Sequence, residues 1–118
     1  MSTIKVTNLQ ATGETATRAV SGVAAAWLVG TNAAGITDSV NVSSGVDAGT
    51  GQYNYSFTNN MANTTWSASG LVEVVNRIFS LDNTNNSKTA DRVYVRVVTY
   101  ADVNDDRSHC LKIHGDLA

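Results

Sequence analysis

The chain has 118 residues, a net charge of −2, 42% hydrophobic residues and only 15% charged ones; this describes one modest domain with a core, not a disordered chain. No basic stripe is present and no apolar run approaches a membrane span, which argues against nucleic-acid binding through phosphate contacts and against membrane insertion. Thr, Asn and Ser supply 37 residues and Pro none, a composition suited to polar-faced strands and side-chain-satisfied turns.

In chain order, the start Met1-Ser2-Thr3-Ile4-Lys5-Val6 has no apolar stretch of the secretory kind, so synthesis in a cytoplasm is expected. Ile4, Val6 and Leu9 predict a short extended segment. Residues 11–19 are Thr- and Ala-rich and read either as a loop or as an arm along a neighbouring subunit. Residues 1–21 are therefore taken as an N-terminal strand or arm, and residues 22–118 as one β-sandwich domain. Residues 22–29 lie between glycines and are too short for a stable helix. They are read as a strand with Val23, Ala25 and Trp27 on one face.

Residues 35–57 read as strand, glycine-framed turn, strand. Val40 and Val42 alternate with Ser39, Asn41 and Ser43; Tyr53, Tyr55 and Phe57 alternate with Gln52, Asn54 and Ser56. Side chains alternate across a strand, so each segment has one apolar face. Gly49, Thr50 and Gly51 form the structural turn, because glycine reaches positive φ at no steric cost. Residues 65–75 form a longer apolar segment, and residues 77–81 continue it after Asn76. Residues 82–91 are a polar loop. Residues 92–100 carry the strongest strand signal, with Val93, Val95 and Val97 on one face. Residues 101–107 are an acidic turn and residues 108–113 the last strand. Seven or eight short strands predict an all-β fold, an antiparallel sandwich.

No nucleophile elbow, phosphate loop or paired-carboxylate pattern is legible, so no enzyme, catalytic residue or cofactor is expected. Asp102, Asn104 and Asp106 space oxygen ligands like the start of a calcium loop. Arg107 stands where that loop needs glycine and Ile113 where it needs glutamate, so a solvated turn is expected and no metal site. His109 and His114 fall on opposite strand faces and cannot share an ion within one chain. Cys110, alone, forms no internal disulfide and is read as a small buried hydrophobe. Trp27, Trp66, Tyr53, Tyr55, Tyr94 and Tyr100 are possible sugar-stacking platforms, with core packing as the default.

Residues 38–44, Asp-Ser-Val-Asn-Val-Ser-Ser, lead through a short spacer to Gly49-Thr50-Gly51-Gln52-Tyr53 and an alternating strand. This order resembles tail fibre proteins of bacterial viruses. The similarity extends back to Gly22-Val23-Ala24-Ala25-Ala26-Trp27 and forward through Phe57-Thr58, Met61 and Trp66. The opening Ser2-Thr3-Ile4-Lys5-Val6 is similar to fibre proteins of marine bacterial viruses. Gln52 stands where the family commonly has an acidic residue and Ala62 where it often has proline. The 102–106 turn and both histidines match no family pattern, so no receptor contact is carried over.

The resemblance implies a virion protein made in the host cytoplasm and located in the tail. It would be a tail fibre or fibre tip that attaches to a host surface glycan or protein receptor. Its partners would be two further copies in a homotrimer, and other tail or virion proteins. Three copies of His114 could meet on the threefold axis, on the face shared with Cys110. A capsid decoration protein and a carbohydrate-binding module are the alternatives. Adhesion is expected at exposed loops at one end of the trimer, residues 82–91 and 101–107, because binding groups concentrate on loops carried by a rigid sheet. Asn83, Asn85, Asn86, Asp102, Asn104 and Asp106 are the candidates, their side chains being matched to sugar hydroxyls.

Overall fold

The computed structural model describes residues 2–9, 18–19, 23–82 and 86–118. Among them the period-two patterns become strands. β1 (Asn8–Leu9) and β2 (Arg18–Ala19) pair with each other, Asn8 opposite Ala19. The remaining eight are β3 (Ala26–Gly30), β4 (Ile36–Val40), β5 (Val42–Gly49), β6 (Gln52–Phe57), β7 (Ser67–Val72), β8 (Arg77–Leu81), β9 (Arg92–Thr99) and β10 (His109–His114). They form two four-stranded antiparallel sheets, β4-β3-β10-β7 and β5-β6-β9-β8. The first is called sheet one and the second sheet two. The two sheets form a sandwich-like all-β domain.

The core follows from the alternation. Tyr53, Tyr55 and Phe57 of β6 and Val93, Val95 and Val97 of β9 point inward from sheet two. Ala26 and Leu28 of β3 and Leu111 and Ile113 of β10 meet them from sheet one. Burying each of the larger side chains contributes about 1.5–3 kcal/mol. Trp27 lies on the other parity of β3 and faces outward, half-buried.

The segment before the glycine turn is not one strand. Asn41 adopts φ 58°, in the left-handed region that asparagine tolerates better than most residues. The chain there leaves sheet one and enters sheet two, so Val40 ends β4 and Val42 begins β5. Only β5 forms the hairpin with β6. The Asn41 side chain fixes this crossing, accepting the Asn59 N–H at 2.7 Å and donating to the Asn59 carbonyl at 3.0 Å. A second break falls at Asn76, φ 61°. It closes the turn between β7, which already ends at Val72, and β8, and Val74 and Val75 are exposed in that turn.

Cys110 is half-buried on the outer face of sheet one, between Val29 and Leu71, and not in the core. That face carries the rows Asp38–Val29–Cys110–Leu71 and Val40–Trp27–Lys112–Ser69. Leu71 there is 72% exposed and Val40 47%. The outer face of sheet two is more polar, with the rows Gln52–Arg96–Ser80 and Ser56–Arg92.

Candidate functional site

The described residues of the two loops expected to act together stand at opposite ends of the sandwich. Residues 82–91 precede β9 and residues 100–108 follow it, so the length of that strand separates them. A trimer cannot present both at one tip. Each end has its own construction.

At the end beyond Thr99, the β5–β6 turn and the acidic turn are joined. Gly49 has φ 143° and Gly51 φ 65°. Thr50 is exposed at the tip, whereas Gly51 is buried. The Gly51 N–H donates to Asp106 Oδ1 at 2.6 Å. A Cβ on Gly51 would lie 2.5 Å from the Val97 carbonyl oxygen and 2.7 Å from the Asp105 nitrogen. Arg77 Nε donates to Asp105, whose carboxylate also lies 3.1 Å from Arg107 Nε. Arg96 Nε donates to Asn104 Oδ1 at 2.7 Å. Asp102, φ 58°, is largely exposed and 3.6 Å from Arg96. Asp105 and Asp106 are thus held by the protein, and the turn is not simply solvated. Among the described residues no three His, Cys, Asp or Glu side chains gather as a metal site.

Beneath this turn lies a polar pair 54 residues apart in sequence. His109 is 0% exposed. Its Nδ1 is 2.9 Å from the Arg107 carbonyl, which only accepts, so Nδ1 carries the proton. Nε2 then accepts the Tyr55 O–H at 2.9 Å. The Tyr53 ring packs on the imidazole at 4.6 Å and the Phe79 ring at 5.2 Å. Tyr53 Oη accepts the Arg107 N–H at 3.0 Å. Burial lowers the His109 pKa from its ordinary value and raises those of Tyr53 and Tyr55. A satisfied, solvent-free imidazole of this kind specifies packing. Gly30 is what admits it, since a Cβ there would lie 2.5 Å from the Tyr55 hydroxyl.

At the other end, Trp66 is the central pin. It is buried, with its ring edge-on to Phe57 at 5.9 Å. Its Nε1–H donates to the Thr89 carbonyl at 3.3 Å. Lys88 Nζ donates to the Trp66 carbonyl at 2.7 Å and sits 5.1 Å from the indole centroid. The Arg92 guanidinium, 2.6 Å from Asp91, together with the Thr89 hydroxyl, holds the Asp91 carboxyl below the usual carboxylate range. The later part of the loop is therefore tied down. Asn86 is exposed with φ 56°; Asn83 and Asn85 lie outside the described residues.

Beside Trp66 a polar cleft of about 340 Å3 opens, lined by Asn63, Thr65, Ser67, His114 and Asp116, with Gly115 behind them. Asn63 Oδ1 accepts the Thr65 N–H at 2.8 Å, which orders the turn that forms one wall. The C-terminal residues form the other, fixed by the Ala62 N–H donating to the Asp116 carbonyl at 2.8 Å. Hydroxyl, amide, imidazole and carboxylate groups face one small space there, a set that can hydrogen-bond a polyol. The polar turn before Trp66 was visible in the sequence. Its meeting with His114 and Asp116 was not, because those residues arrive from β10. Of the aromatic candidates, Tyr53, Tyr55 and Trp66 are buried and offer no stacking face. Tyr100 is 73% exposed, at the far end from the cleft.

No family model matches the chain, and neither a curated protein nor a solved structure does.

Proposed function

We propose that this chain is a structural and adhesive component of a bacterial virus, a tail fibre or fibre tip that works as a homotrimer without catalysis. The observation that carries this reading is the outer face of sheet one. Trp27, Val29, Val40, Leu71 and Cys110 form an apolar patch on a small domain with modest charge. Val40 and Leu71 are its exposed members and Trp27, Val29 and Cys110 its half-buried ones, and partly open apolar surface of this kind suits association. The order of motifs shared with tail fibre proteins supplies the virion context. The cleft beside Trp66 supplies a surface for a host glycan or protein receptor, and three copies would convert weak sites into avidity.

Light scattering on the purified protein should give about three times the 12.4 kDa chain mass. The double variant V40D/L71D changes only exposed side chains of the patch and should return the mass to one chain. A wild-type monomer at micromolar concentration overturns the trimer. Labelled antibody on intact particles then locates the protein. Signal over the shell and not the tail would favour a capsid decoration protein.

A further inference from the structure

The two lateral seams of the sandwich differ. On one side β4 runs directly into β5 through Asn41, and the buried Ala34 packs against Gly45. On the other side β7 and β8 are both sheet edges, each hydrogen-bonded to one neighbour only. Between them lies a cleft of about 330 Å3 with Ala68 and Gly70 on one wall, Phe79 and Leu81 on the other, and Val95 and Leu111 at the floor. β7 presents small residues inward, and the Phe79 ring packs directly on Gly70, where a Cβ would overlap it. Edge strands with apolar surface are templates for a further strand, and β7 carries neither proline nor charge to prevent it.

The chain also carries a segment with the complementary pattern. Residues 2–7 precede β1, and all are exposed. Ile4 is 87% exposed and Val6 46%, two residues apart, alternating with Thr3, Lys5 and Thr7. Extended, six residues span roughly 20 Å, which matches the six residues of β7. The arm leads into the pairing of Asn8 with Ala19. Its exposure means that it does not fill the cleft of its own chain.

We infer that the cleft between β7 and β8 receives the N-terminal arm of a second copy of this chain, added as a strand to the free edge of β7 with Ile4 and Val6 beside Ala68 and Gly70 and facing Phe79 and Leu81. Main-chain hydrogen bonds to the β7 edge would supply affinity, and the two aliphatic side chains would set the register. In either strand direction Lys5 falls opposite Ser69, on the outer face. The inference shares with the proposed function only the association of copies. It would hold equally for another copy number.

The test places cysteines at Lys5 and Ser69 in a C110S background and oxidises the protein mildly. A disulfide between chains, seen as covalent multimers on a non-reducing gel, is the expected result. A disulfide within one chain, or two free thiols, overturns the inference. Separately, I4D/V6D should shift the midpoint of dissociation on dilution by more than about tenfold, because two buried aliphatic contacts are lost. A trimer indifferent to I4D/V6D and uncrosslinked overturns the arm and leaves the trimer standing. A crosslinked dimer does the reverse.

Discussion

The two ends of the sandwich use similar polar residues for opposite purposes. Beyond Thr99, Asp102, Asp105, Asp106 and Arg107 all have partners within the chain, and a buried imidazole lies beneath them. Beside Trp66, the side chains of His114 and Asp116 make no hydrogen bond or ion pair among the described residues, and they line an open cleft. Polar groups that satisfy one another contribute to stability and have little left for a ligand. Polar groups left facing water contribute little to stability and remain available. The first end is a structural latch, the second an open polar cleft that suits the proposed recognition, and the difference is open to test by substitution.

The largest effect should come from Gly51→Ala. A non-glycine residue in the left-handed region costs about 1–3 kcal/mol, and here the added Cβ also overlaps the Val97 and Asp105 backbone. We expect a loss of at least about 3 kcal/mol in urea denaturation. Gly49→Ala is also strained, by its φ of 143°, but should cost less because its Cβ meets only the Gln52 side chain, at 3.8 Å, and no backbone. Equal, small effects would show that the latch yields and that its packing is loose.

Next is Asp106→Ala, which removes the carboxylate that accepts the Gly51 N–H and leaves that donor buried. A hydrogen bond to a charged group is worth about 1.5–3 kcal/mol, so a loss near 2 kcal/mol is expected. A change within about 0.5 kcal/mol, typical of open surface positions, would return the acidic turn to the list of candidate contact sites.

A smaller, pH-dependent effect belongs to His109. Its folded pKa lies below its unfolded value, so the unfolded chain takes up the proton first as pH falls. Stability should therefore be full above about pH 6.5 and decline below it, until the folded-state pKa is passed. Denaturation midpoints between pH 8 and pH 5 would record the decline. His109→Asn should be less stable at neutral pH, since the Tyr55 hydroxyl loses its acceptor, but should lack this dependence. The same slope in both proteins would assign it to other groups.

Some of this architecture was legible and some was not, for identifiable reasons. Val93, Val95 and Val97, and Tyr53, Tyr55 and Phe57, declare their strands because every second residue is apolar and the alternation is uninterrupted. The crossing at Asn41 is hidden because Val40 and Val42 keep period two through a residue whose left-handed φ leaves no mark on the pattern. The separation of the two loops is implicit in the sequence. Residues 82–91 and 101–107 flank one continuous strand, and the ends of a strand point in opposite directions. The His109–Tyr55 bond joins positions 54 apart, and nothing local marks either as the other's partner. The cleft was hidden for the same reason, because its walls come from the turn before Trp66 and from the end of β10.

The smallest effect on stability and the sharpest test of the comparison is Asp116→Ala. The residue is exposed and its side chain makes no hydrogen bond or ion pair among the described residues. Surface substitutions of this kind usually stay within about 0.5 kcal/mol, so the denaturation midpoint should not move. If the cleft recognises a polyol on the host surface, the lost carboxylate removes an acceptor that water had been serving, and attachment to host cells should fall with the assembly intact. Asn63→Ala should weaken attachment too, with a modest cost in stability because the Thr65 N–H loses its acceptor. The pair therefore separates two origins of weakened attachment. Loss in Asn63→Ala alone would mean that the wall of the cleft had shifted, whereas loss in both would point to direct contact. Full attachment by both variants would remove the cleft beside Trp66 from recognition and leave Asn86 at that end and Tyr100 at the other as the exposed alternatives.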